Sequence, residues 1–210
     1  MNDELHKRLT ALLARVCRRA TGCDDAARRL LAMYQEPIRH YHNLDHIRHC
    51  LGEFDVFRTL SRDPDALETA IWFHDAVYDP TRDDNEARSA DLARQVLTDV
   101  GATPDFASRV ADLIMVTLHD RRPPTVDGQL LADIDLTSLG QNPERFDREG
   151  RAIRQEYAHV PDAQFAVGRV SLLGRFLDRP HIYYTPAIRD RYETQARANL
   201  SRAVGTGKHD

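Results

Sequence analysis

The sequence predicts an all-α fold, and three features carry that expectation. Apolar residues recur at helical spacing along most of the chain, residues that start or stop helices stand between those runs, and no stretch alternates convincingly like a half-buried strand. Leu5, Leu9, Leu12, Leu13 and Val16 give a first amphipathic helix. Asp24 or Asp25 caps a second, which ends near Tyr34, ahead of Pro37. Asn43 caps a third with the stripe Ile47, Cys50, Leu51, Phe54 and Phe57. Asp63-Pro64 opens a central helix expected to run through Tyr78, because proline suits a first helical turn. A polar loop, Asp79 to Asp84, leads to a helix over Glu86–Val100 that Gly101 stops. Asp105–Leu118 carries the stripe Val110, Leu113, Ile114 and Thr117, and Arg121-Arg122-Pro123-Pro124 breaks it. Gln129–Leu139 ends at Gly140, Pro143 starts a helix to about His159, and Asp162 caps one reaching Leu177. The last helix begins near Pro186 and frays into Gly205–Asp210.

A length of 210 residues with 41% hydrophobic content is enough for one domain with a sizeable core. We therefore expect a single domain over residues 1–204, with its motif-bearing core at about 34–140, C-terminal helices at 143–204 and a disordered tail at 205–210. A net charge of −4, with Lys and Arg scattered, speaks against a dedicated nucleic-acid or membrane surface. Cys17, Cys23 and Cys50 are odd in number and form no CxxC pair, as expected of reduced thiols in the cytoplasm. No apolar run approaches the roughly 18 residues of a membrane span, and the N-terminal stretch carries acids without a signal pattern. A homo-oligomer is compatible with all of this. The compositional clue is histidine: five of the ten lie between Arg39 and Asp75.

The stretch from Ala70 to Tyr78 reads as one helix. At about 100° per residue, Val77, Ala70, His74, Leu67, Tyr78, Ile71 and Asp75 fall on one arc. A buried imidazole and carboxylate are costly unless paired or bound to a metal. Alone, the pair reads as a hydrogen-bonded core histidine with an aspartate at a helix end. Two other segments change that reading. His42 and His46 are four apart, and with Asn43 as the cap, His46 is the ligand held in the first turn. In Leu130–Gly140 the arc of Leu130, Ile134, Leu131 and Leu139 encloses Asp135 and excludes Asp133, which is expected around the site's outer shell or in solvent. His46, His74, Asp75 and Asp135 then form a mixed nitrogen and oxygen site. Such donors suit Mn²⁺, Fe²⁺, Co²⁺, Ni²⁺ or Zn²⁺, with Mg²⁺ also admissible.

This order, His46, then His74-Asp75, then Asp135, resembles the H…HD…D signature of the HD superfamily of metal-dependent phosphohydrolases. The likeness extends to Arg39-His40-Tyr41-His42-Asn43-x-x-His46, Ala70-Ile71-Trp72-Phe73-His74-Asp75-Ala76-Val77-Tyr78, Asn85-Glu86-x-x-Ser89-Ala90 and Asp133-x-Asp135-Leu136. It continues in Ile153-Arg154-x-Glu156-Tyr157 and in Ile182-Tyr183 with Ala196-Arg197-x-Asn199-Leu200, so it covers roughly Tyr34 to Leu200 and is similar to a bacterial branch of that superfamily.

The resemblance implies a compact helical HD-type domain that hydrolyses a phosphate ester or anhydride of a small molecule, commonly a nucleotide. A metal-activated water attacking in line needs little from the protein beyond positioning. Asp75 or Asp135 can orient that water as well as ligate. Glu86, beyond the loop, is the candidate for proton transfer, although an acid in a first turn also simply favours the helix dipole. His42 is a candidate substrate contact, and His119, just past a helix end, is a second-metal ligand or a phosphate contact, or else an ordinary helix-end histidine. Arg39 matches phosphate oxygens through its planar fork, or else braces the approach to the third helix. Arg154 and Glu156 read as ion-pair partners. Alternative functions are an HD-fold di-iron oxygenase, which needs more histidine ligands, and a non-catalytic metal- or nucleotide-binding regulator.

Overall fold

The structure, a computed structural model, describes residues 2–17 and 22–206. Among these are ten α-helices, three short 3-10 turns and no strand. The chain groups into two compact units, Met1–Ala132 and Asp133–Asp210.

In the first unit, α1 (Asn2–Val16) packs on α2 (Cys23–Met33), and α3 (Leu44–Phe57) packs on α4 (Pro64–Phe73). Helices α5 (Asn85–Asp99) and α6 (Pro104–Ile114) pair with each other, and both meet α4. Helix α4 is the axis of this unit. Every residue from Ala66 to Phe73 is buried, so it has no wet face. Even Glu68 is buried, held 2.7 Å from Arg8 Nε on α1, whose guanidinium also grips Asp55 on α3. A buried carboxylate is tolerable only with such a partner.

Most helix boundaries follow the expected signals. Asn43 Oδ1 accepts from Asp45 N–H, and Asp63 Oδ1 accepts from Ala66 N–H, with Pro64 at the first helical position. Two starts differ. Helix α2 is preceded by Gly22 at φ 95°, without a side-chain cap, and Asp24 and Asp25 sit inside its first turn. Glycine takes that left-handed conformation without penalty. Asp162 likewise lies inside α9, where Pro161 holds the cap position.

The larger correction is at α4, which ends at Phe73 instead of continuing through Tyr78. Competing partners take up its last carbonyls. Tyr34 Oη donates to Trp72 O at 2.8 Å, His74 Nδ1 lies 2.9 Å from Ile71 O, and Ala76 N–H reaches back to Phe73 O. A helix end needs such partners wherever it is buried.

Helix α7 (Val126–Leu136) contains the boundary between the units. In the second unit, α10 (Pro186–Thr206) packs on α9 (Asp162–Leu177) and on the 3-10 turn Thr137–Gly140, which also meets α8 (Pro143–Glu156). A Cβ at Gly140 would lie 2.7 Å from Tyr192 Cβ, so only glycine permits that approach. Asn199 Nδ2 donates to Leu139 O and Gln141 O, tying α10 to the same turn. Arg154 bonds Asp162 and the carbonyls of Tyr157 and Val160, closing the α8–α9 corner, and Glu156 is buried. The tail expected to be disordered is helical at Gly205 and Thr206, and 207–210 lie outside the described residues. The three cysteines are buried and form no disulfide. No helix among the described residues is long and apolar enough to cross a membrane.

Candidate metal centre

The Asn43 cap starts α3 at Leu44, which leaves His42 ahead of the helix and puts His46 in its first turn, buried. The early end of α4 makes His74 the capping residue and places Asp75 in the turn that follows. Three donor atoms meet between these two helices. His46 Nε2 lies 3.1 Å from His74 Nε2 and 3.5 Å from Asp75 Oδ2, and His74 Nε2 lies 3.0 Å from the same oxygen. Both imidazoles are almost fully enclosed, while the Asp75 side chain keeps 17% exposure. The carboxylate is therefore the open side of the group.

These spacings suit an ion. Ligands at about 2.1 Å from one centre are separated by roughly 3.0 Å along an octahedral edge and roughly 3.4 Å along a tetrahedral one. The tautomer agrees. A carbonyl only accepts, so in the neutral ring the Ile71 oxygen fixes the proton of His74 on Nδ1 and leaves the Nε2 lone pair facing the other two donors. Two imidazole nitrogens and a carboxylate form a buried group that can hold a metal ion.

Electrostatics act on Asp75 in both directions. Burial raises its carboxyl, but the neighbouring imidazoles of His74, His42 and His46 outweigh it. The group is held below the usual carboxylate range. Tyr34, buried behind the turn, is driven up by burial and by the Asp75 charge, so its hydroxyl stays a proton donor to Trp72 O.

No protein-family model, curated protein or solved structure matches the chain.

The other expected residues are distributed as follows. His42 is half-buried, with its ring stacked 4.3 Å from that of Tyr78 and edge-on to Tyr41 at 4.8 Å. Arg39 takes the bracing role. Its guanidinium bonds Glu36, the His42 carbonyl and the carbonyls of Asp75 and Ala76, and its side chain keeps 1% exposure. Glu86 is half-buried in the first turn of α5. His119 follows the 3-10 turn Met115–Leu118 at φ 52°, a left-handed conformation uncommon outside glycine.

The segment Asp133-Ile134-Asp135 departs from the wheel. Asp133 is fully buried and is not in solvent: its carboxylate accepts from Tyr184 N–H at 2.8 Å and Thr185 N–H at 2.5 Å. Asp135 is the half-buried one of the two, and both belong to the second unit.

Sequence reasoning missed three supports of the centre. Tyr34 carries no signal beyond being an aromatic residue at a helix end. Ser89, fully buried on α5, accepts from Val77 N–H at 3.0 Å and so fixes the chain leaving Asp75. Cys50 Sγ lies 3.7 Å from His46 Nε2, and here a signal existed: the four-residue spacing from His46 on one helix face.

Proposed function

We propose that the chain is a metal-dependent phosphohydrolase of the HD type, acting on a phosphate ester or anhydride of a small molecule such as a nucleotide. The observation that carries the reading is the spacing of His46 Nε2, His74 Nε2 and Asp75 Oδ2, all within 3.5 Å of one another at the mouth of a buried pair of imidazoles. A divalent ion bound there supplies Lewis acidity to a phosphoryl oxygen and lowers the pKa of a water. His46 and His74 hold the ion and take no part in proton transfer, because their Nε2 lone pairs are committed to it. Asp75, on the open side, ligates and orients the attacking water. Glu86 takes the proton of that water, and His42 and His119 contact phosphate oxygens. The sequence pattern assigns Asp135 as a further anionic ligand, and metal affinity of Asp135→Asn tests that assignment directly.

The test of the function is a screen of the metal-reconstituted protein against nucleotides and other phosphate esters and anhydrides. Mn²⁺, Fe²⁺, Co²⁺, Ni²⁺, Zn²⁺ and Mg²⁺ are each supplied, and phosphate and pyrophosphate release are followed separately. Turnover that needs one of these ions and disappears in His74→Ala supports the reading. A chain that binds an ion and releases neither product from any member of the set rejects it.

A further inference from the structure

We propose that Arg39 is the positioning residue of the centre: it sets metal affinity by fixing the Asp75 turn against α3, without touching the ion. The inference rests on the metal centre argued above and adds a residue whose role there is not to bind substrate.

Four facts support it. First, Arg39 Nη1 donates to Asp75 O at 2.6 Å and Nη2 to Ala76 O at 2.8 Å, so one planar fork spans two successive carbonyls just past the end of α4. Second, Nη1 also reaches His42 O at 3.1 Å, which ties the same cation to the residues entering α3. Third, the guanidinium lies between two rings, with its carbon 5.2 Å from the Tyr34 centroid and 5.5 Å from that of Tyr78. Tyr78 in turn stacks on His42, and Tyr34 bonds the Trp72 carbonyl. Fourth, Nε donates to Glu36 at 2.9 Å, and the side chain is nearly inaccessible. One cation thus joins the chain entering α3, which carries His46, to the chain leaving α4, which carries His74 and Asp75.

The physical consequence follows from tolerance. Donor atoms around an ion must keep their mutual distances to within a few tenths of an ångström of the polyhedron's edge. Asp75 stands in a turn, outside the helical ladder, so its carboxylate is only as well placed as its backbone. Without the fork, two carbonyls at a buried helix end lose their donors and the turn relaxes toward water. Lysine cannot replace it: an ammonium is a compact donor without a planar fork for two carbonyls or a flat face for two rings.

Titration of the full-length chain with Co²⁺ tests the role, with affinity read by calorimetry and donor geometry by the visible ligand-field spectrum. Arg39→Lys is expected to weaken Co²⁺ binding by about tenfold to a hundredfold, the scale of residues that orient ligands, and to change the spectrum. Arg8→Lys is the control, since it loosens a fork of the same kind on Asp55 and Glu68. It should lower the melting temperature and keep the wild-type affinity and spectrum. A wild-type chain that binds no Co²⁺ overturns the metal centre itself. A wild type that binds, with Arg39→Lys within about twofold of it, overturns the positioning role alone. An equal loss in Arg8→Lys also overturns it, because that marks general loosening. If Arg39→Lys does not fold, Glu36→Ala carries the test by freeing only the Nε anchor at an exposed partner. A weaker affinity with an altered spectrum then supports the role, and an unchanged affinity overturns it.

Discussion

Burial alone would push the Asp75 carboxyl up, and the imidazoles of His74, His42 and His46 pull it down further than burial raises it. The residue therefore presents an anionic oxygen to two ring nitrogens over a wide pH range. Glu86 differs in kind. It sits in the first turn of α5, where a carboxylate is favoured by the helix dipole whatever else it does. The two residues should thus separate in experiment. Asp75→Ala is expected to remove both metal binding and hydrolysis, since it deletes the only anionic donor in the His46–His74–Asp75 group. Glu86→Ala should leave metal content near that of the wild type and lower kcat by about a hundredfold or more, the usual contribution of a positioned acid or base. Elemental analysis beside kinetics decides between them. Undiminished turnover in Asp75→Ala rules out the centre, and undiminished turnover in Glu86→Ala removes only the proton-transfer role.

Among the elements, α4 and α7 mark where helical-wheel reasoning stops working. A wheel finds an inward face only when another face is wet. From Ala66 to Phe73, and again from Leu130 to Ile134, every residue is buried, so the arc of apolar residues does not separate inside from outside. His74 and Asp75 were legible all the same, because a histidine and an aspartate beside a buried run need partners wherever the helix ends. The end itself was not legible, since it is decided by Tyr34, Arg39 and Ser89, donors and acceptors distant in sequence. Caps that use a neighbour's side chain, such as Asn43 and Asp63, could be read directly; a cap made by Gly22 through its backbone alone could not. Asp133 is the sharpest case. The wheel turned it outward, yet it is fully buried and holds the two amides just ahead of α10. Asp133→Ala leaves both of those N–H groups without their carboxylate, and we expect a loss of about 2–4 kcal/mol from two charge-assisted bonds at a buried site. Urea unfolding measures it. A loss under about 0.5 kcal/mol, typical of a surface substitution, would show that water replaces the carboxylate without penalty.

For the molecule as a whole, the proposed ion and the proton compete for the same atoms. An ion that binds the folded chain and not the unfolded one stabilises it by about 2.7 kcal/mol at a hundred times Kd. For a chain of this size that corresponds to a rise of about 5–10 °C in melting temperature. The imidazoles must be unprotonated at Nε2 to ligate, so ion binding is linked to proton release. The rise should therefore shrink as pH falls, as protons compete with the ion for the nitrogens of His46 and His74. The metal-free chain has a different window. The folded Asp75 carboxyl lies below its unfolded value, so its stabilising effect is complete above about pH 4, the ordinary carboxylate range, and fades only as pH falls toward the folded value. Scanning calorimetry with ion and with chelator, at half-unit steps from pH 8 to pH 4, separates the two. The gap between the two melting curves should close as pH falls while the chelated protein still holds its melting temperature. A gap that persists unchanged to pH 5 would mean that the stabilising ion is bound by carboxylates alone, and would remove His46 and His74 from the ligand set.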